Sequence, residues 1–302
     1  DDRGAGAAGP SEGAASCAAA APAPVVDLER AFFSWSPEDP SERAALSKVI
    51  HKGLADVTVQ INVGQLCCVV GPVGGGKTSL VGAVLGGMAL AGGRRALRAP
   101  SGVAYCPQEP WILSAEVWRN IAVGCDDWGE VDEPAYRRAV LGADLSADLA
   151  LLPAGDRTEI GARGVNLSGG QRARVALARA LYQSEVRGCE LAILDDVLSA
   201  VDLGVARGLV ERCILGEALR GRARLVVLNS HYELLEVADQ IVVVAGGRVE
   251  VYADVGAYRR SPWASALAED RRGGETGRAA GAAAPAGAKG RLGAAPVAEV
   301  PG

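Results

Sequence analysis

GPVGGGKTS, residues 71–79, decides the reading of this 302-residue chain. It follows the apolar run QLCCVV (65–70) and precedes LVGAVLGGMAL (80–90), a stretch that suits a helix. Gly71, Gly76, Lys77 and Thr78 satisfy G-x-x-x-x-G-K-[ST], and that order matches what a bound phosphate needs. Gly71, Gly74, Gly75 and Gly76, with Pro72 and Val73 between them, make a loop whose backbone N–H groups can wrap phosphate oxygens. Lys77 reaches the β- and γ-phosphates, and the Thr78 hydroxyl ligates Mg²⁺ where Ser79 and its neighbours open a helix. The motif asks for a nucleotide with its magnesium. Hydrolysis, phosphoryl transfer and simple sensing all remain open on these residues alone.

A second signal comes at LSGGQ, residues 167–171, followed by RARVALARALY (172–182), in which Val175, Ala178 and Leu181 share a helical face. Ser168 and Gln171 form an S-x-x-Q capping box, so a helix starts sharply here with its N–H groups and positive dipole end directed outward. Taken alone, a capping box is an ordinary helix start. Gly169 and Gly170 in the first turn argue for more: they weaken the helix, yet they let a phosphate of another molecule come close to the backbone.

Composition bounds the rest. The chain is 49% hydrophobic and 22% charged, with 31 Lys and Arg against 36 Asp and Glu, which gives a globular core and no basic field of the kind that attracts nucleic acid. Seven cysteines, at 17, 67, 68, 106, 125, 189 and 213, are odd in number, show no C-x-x-C and mostly lie in apolar runs. They read as buried reduced thiols, which suits a cytosolic face. No apolar run reaches the roughly 18 residues needed to span a bilayer. The chain begins at Asp1 rather than methionine, which fits a piece of something longer, though processing gives the same start.

Residues 1–23 and 271–302 are dominated by Ala, Gly, Ser and Pro and lack the large side chains that offset ordering entropy, so disorder is expected there, with a helical Ala segment as the alternative. Between them, 24–270 alternates apolar strand runs (65–70, 190–196, 224–229, 240–245) with helix-period segments, the pattern of an α/β fold with a mainly parallel sheet. Two segments with alternating polarity, 26–35 and 55–63, predict an antiparallel β edge. A helical lobe is expected over about 115–165, where strand signals are few.

These residues resemble the nucleotide-binding domain of ATP-binding cassette (ABC) transporters, a P-loop NTPase fold. GPVGGGKTS is similar to the Walker A motif, LSGGQ to the signature, ILDD (193–196) to Walker B and SAVD (199–202) to the D-loop, with His231 in LNSHYE as the switch histidine. Ser168 precedes Asp195 by 27 residues (195 minus 168), as the family requires, and the likeness runs from about 25 to 268. The strings at 104–121, 155–182 and 195–202 resemble most closely the first cassette of the multidrug-resistance-associated C subfamily.

On individual positions the resemblance implies the following. Trp35 is the aromatic that stacks on adenine, against a core or edge-strand role, and the insertion at 36–53 is longer than the family leads one to expect. Gln108 is the glutamine that touches Mg²⁺ and the attacking water at the hinge to the helical lobe. Trp111, Ile112 and Leu113, apolar in a loop, suit docking to a helix of a membrane domain. His231 accepts from the attacking water and contacts the γ-phosphate; His51 gets no role. Asp195, ending an apolar strand, orders Mg²⁺ through water. Asp196 stands where a hydrolysing cassette has glutamate, which moves its carboxylate back by about 1.5 Å. A displacement near 1 Å costs about a hundredfold in rate, so ATP binding is expected to survive and turnover at this site to be slow. An extra water or a backbone shift would restore normal hydrolysis.

Cassettes of this family pair head to tail, each ATP held between one partner's Walker motifs and the other's signature. The expectation is therefore an ATPase at the cytoplasmic face of a membrane, partnered by a second cassette and by transmembrane domains. The alternatives are a regulatory ATP-binding module with negligible turnover and a soluble cassette ATPase of the translation-factor or chromosome-maintenance kind.

Overall fold

The computed structural model describes residues 23–35, 53–161, 164–199, 201 and 203–274. The Ala/Gly-rich ends 1–22 and 275–302, residues 36–52 with His51, Cys17, and Ala200 and Asp202 of the SAVD segment lie outside the described residues.

In chain order the strands are β1 (Val26–Ser34), β2 (Gly53–Ile61), β3 (Leu66–Val70), β4 (Ala89–Leu97), β5 (Val103–Cys106), β6 (Ala115–Glu116), β7 (Glu159–Ile160), β8 (Leu191–Asp195), β9 (Ala223–Val227), β10 (Gln240–Ala245) and β11 (Arg248–Tyr252). The α-helices are α1 (Lys77–Leu85), α2 (Val117–Ile121), α3 (Glu133–Gly142), α4 (Ser146–Leu151), α5 (Gly169–Arg187), α6 (Leu203–Leu209), α7 (Val255–Arg259) and α8 (Pro262–Gly274). Six strands form one sheet in the order β11-β10-β3-β9-β8-β5, parallel throughout except for the β10–β11 pair. A separate antiparallel sheet runs β2-β1-β4. The α/β class, with a mainly parallel sheet, an antiparallel sheet and helices, agrees with the sequence reading.

The central strands read as unbroken apolar runs because both of their faces are covered. Leu66, Cys68 and Val70 of β3 enter one core together with α5, whereas Cys67 and Val69 enter a second core with α1 and the antiparallel sheet. β8 and β10 divide the same way, Leu194 and Val243 facing one side and Ile193 and Val242 the other. The described cysteines are all free thiols, buried except for half-buried Cys125, and burial pushes the thiols of Cys67 and Cys106 up to about 12.

One expectation about an element is corrected, and two strands are added. The stretch 80–90 does not continue as helix: Gly86 takes φ +87°, its N–H closes on the Gly82 carbonyl, and α1 ends at Leu85. The chain then enters β4, which the sequence did not reveal because none of its side chains is fully buried and no apolar alternation marks it. β11 likewise has no fully buried side chain, but Arg248, Val249, Glu250 and Val251 alternate polar and apolar, a signal the sequence reading passed over. Among the described residues, no helix is long and apolar enough to cross a membrane.

Candidate functional site

Four neighbouring strands, β3, β9, β8 and β5, run parallel, so the segments that follow them emerge side by side at one sheet edge. β3 delivers Gly71, β9 leads to His231, β8 ends in Asp195 and is followed by Asp196, and β5 leads to Gln108. The carboxyl edge of a parallel sheet is where such folds bind ligands.

The loop after β3 is held against β10. At Gly71, with φ +152°, a Cβ would lie 2.0 Å from the Val244 carbonyl oxygen, so only glycine lets the turn begin there. Pro72 accepts from the Gly75 N–H at 3.0 Å, and Val73 at the tip is 88% exposed beside Gly74. Gly76 precedes α1 in a left-handed conformation with φ +106°. Lys77 is buried and folds back across the loop, its Nζ donating to Gly71 O at 2.8 Å and Pro72 O at 3.0 Å. Thr78 is exposed in the first turn of α1 and Ser79 half-buried. Ser79 Oγ accepts from Trp35 Nε1 at 3.3 Å, and the far edge of the indole occupies the space that a side chain at Gly82 would fill. The indole is half exposed, so the end of β1 presents an aromatic face beside the helix that opens from the loop.

Asp195 is 1% exposed, and among the described residues its Oδ2 has no hydrogen-bond partner. Burial, reinforced by the charge of Asp196 and opposed by Lys77, raises its carboxyl from 3.8 to about 6. A carboxylate kept in that condition is suited to a cation that brings its own charge. Asp196, with φ +58°, is tied by its N–H to Val227 O at 3.2 Å, and its carbonyl accepts from Ser199 Oγ at 2.9 Å. Its Oδ2 accepts two amide hydrogens, from Asn229 Nδ2 at 2.6 Å and Gln108 Nε2 at 3.3 Å. With its nitrogen so engaged, Gln108 is left to offer its carbonyl oxygen to a cation. His231, with φ +51°, sets its Nε2 3.3 Å from Val201 O in the segment after Asp196.

Ser168 and Gln171 form the reciprocal box: Gln171 N donates to Ser168 Oγ at 3.2 Å and Ser168 N to Gln171 Oε1 at 2.9 Å. Gln171 and Arg174 then grip Asp148 of α4, Arg174 Nε at 2.6 Å from Asp148 Oδ2. These bonds run to α4 and not to the 71–79 loop. Gly169 is exposed, and among the described residues a Cβ there would meet nothing within 4 Å. Nothing described in this chain requires glycine at 169.

Arg179 and Asn120 were not singled out from the sequence. Arg179 is buried on α5 with its guanidinium 3.4 Å from the Trp111 ring centre, and donates to Trp111 O at 3.1 Å, Asn120 O at 2.6 Å and Asn120 Oδ1 at 3.2 Å. Burial lowers its guanidinium to about 10. Asn120, fully buried, also accepts from Leu113 N at 2.7 Å. Trp111 and Leu113 stay 47% and 44% exposed while Ile112 packs inward, so the pinned loop keeps two apolar side chains facing out. The available signal was a charged residue four places after Val175, on the buried stripe of α5.

Residues 54–199 match the family model described as ABC transporter. The chain carries an ABC transporter nucleotide-binding domain. Over 231 residues it is 41% identical to human ATP-binding cassette sub-family C member 10, covering 76% of this chain and 14% of that protein. It is 39% identical over 225 residues to multidrug resistance protein mrp-7 of Caenorhabditis elegans (74% and 14%), and 41% identical over 226 to human ATP-binding cassette sub-family C member 2 (74% and 13%). The chain thus spans about one seventh of the length of the curated relatives it matches. These likenesses place the domain with C-subfamily, multidrug-resistance-type cassettes.

Proposed function

We propose that this domain binds MgATP on its own 71–79 loop, pairs head to tail with a second nucleotide-binding domain, and through that pairing powers or gates transport by membrane domains of a longer protein. The observation that carries the reading is the meeting, at one sheet edge, of the phosphate loop with a buried carboxylate oxygen on Asp195 that has no partner among the described residues. Residues 71–79 would enclose the triphosphate, Trp35 would stack on the adenine, and Thr78, Gln108 and Asp195 would hold magnesium. When bound, the metal neutralises charge on the phosphate oxygens.

Asp196 and His231 would orient the attacking water, the short Asp196 side chain making this site slow. The outward tip formed by Ser168, Gly169, Gly170 and Gln171 would complete the partner's site, and the apolar loop at Trp111 and Leu113 would dock a membrane-domain helix at the cytoplasmic face. In this reading the cassette occupies 24–270, with its helical lobe over about 115–165, flanked by 1–23 and 271–302. A regulatory module with negligible turnover is the second reading, favoured by Asp196 itself.

Phosphate release from MgATP, measured for this sequence and for Asp196→Glu with a second cassette supplied, separates the two. The motor reading expects slow release that rises by up to about a hundredfold in the glutamate variant. No rise would remove the explanation of slow turnover, and no magnesium-dependent affinity for ATP would end the reading altogether.

A further inference from the structure

We propose that Asn229 is a retaining residue for Asp196: its amide holds the carboxylate against the end of β9, so that turnover is limited by this tether as well as by the short side chain. The inference rests on the reading above that Asp196 occupies the water-orienting position. Its basis is geometric. β8 and β9 pair in register to Asp195 and Val227, and the Asp196 N–H to Val227 O bond extends that ladder by one step. The backbone of Asp196 then turns to φ +58°, and Ser199 fixes its carbonyl. With the main chain held on both sides, the side chain has only its own torsions left.

Those torsions are taken up by one oxygen. Asn229 Nδ2 at 2.6 Å and Gln108 Nε2 at 3.3 Å both donate to Oδ2, from the segments that follow the strands flanking β8. Hydrogen bonds from amides to a carboxylate are charge-assisted and directional, so two of them on a single oxygen set the plane of the group. Of the pair, the Asn229 contact is the shorter, and Asn229 is half-buried only two residues before His231, where the chain has little slack. A carboxylate tethered in this way cannot swing outward over the distance that the missing methylene leaves. Gln108, by contrast, sits on an exposed loop position and can follow the carboxylate if it moves.

The test combines Asn229→Val, which removes the amide and leaves a short apolar side chain, with Asp196→Ala and with the double variant. In urea unfolding of the full chain without nucleotide, the two substitutions are expected to be coupled by about tenfold in the unfolding equilibrium. With MgATP and a second cassette, Asn229→Val is expected to raise kcat for phosphate release by about threefold or more and leave KM within about twofold. That rise should be absent in the Asp196→Ala background and reversed by Asn229→Gln, which restores a donor. Coupling near unity overturns the tether. Coupling without a rise in kcat, or with a fall, overturns the retaining role. Failure of the parent chain to bind MgATP instead overturns the function proposed above, and leaves the unfolding measurement to judge the tether.

Discussion

Gly169→Ala should make the domain more stable and less active at once. Gly169 is the first residue of α5 and is not among the residues with positive φ. A Cβ there would meet nothing within 4 Å among the described residues, so the methyl fits without strain. Replacing glycine by alanine in a helix reduces the freedom of the unfolded chain, worth roughly 0.5 kcal/mol in a first turn. For a domain of this size that is an increase of about 1–2 °C in Tm. The same methyl stands about 1.5 Å out from the backbone, on the surface where the partner's phosphate is proposed to approach. A displacement of that order lowers phosphate release at the partner's site by about a hundredfold. Urea unfolding of the isolated chain gives the first quantity; light scattering for MgATP-dependent pairing and phosphate release with a second cassette give the other two. A loss of more than about 1 kcal/mol would mean that the methyl meets part of the chain itself. Unchanged pairing and release would mean that the helix tip faces no partner.

Asp195 predicts a pH dependence. Because its carboxyl is raised from 3.8 to about 6, the native state holds the proton more tightly than the unfolded chain, and the resulting stability is full below about pH 4 and lost as pH rises through 6. Near pH 7.5 the nucleotide-free chain should therefore be less stable than Asp195→Asn by roughly 3 kcal/mol, narrowing toward pH 4; a flat difference from pH 4 to 8 refutes the assignment. Arg179→Leu removes three hydrogen bonds and the stack on Trp111 and leaves two carbonyls without that donor. A loss of about 3 kcal/mol is expected in urea unfolding, with Arg179→Lys recovering less than half because an ammonium cannot match the planar fork.

How legible the molecule was depended on burial. β3, β8, β9 and β10 announced themselves because strands covered on both faces leave unbroken apolar runs. β4 and β11, with no fully buried side chain, left no such trace. The phosphate loop could be read because its chemistry lies in consecutive residues. The Asn229–Asp196 and Arg179–Trp111 contacts could not, since they join positions 33 and 68 residues apart and Asn and Arg are common on a surface. Asp196 lies between these cases: its shortness was visible, its two amide donors were not.

The grip of Gln171 and Arg174 on Asp148 has a mechanical consequence. Ala178, at the buried centre of α5, lies ten residues from Ser168, or about 15 Å along the axis. If the rod pivots there by about 10°, its free end sweeps roughly 3 Å, comparable to the length of a hydrogen bond. Since α4 is clamped to that end, a push on α4 would become the steering input: under the proposed docking it would aim residues 168–171 like a tiller, swinging the tip into or out of line with the sheet beneath it left in place.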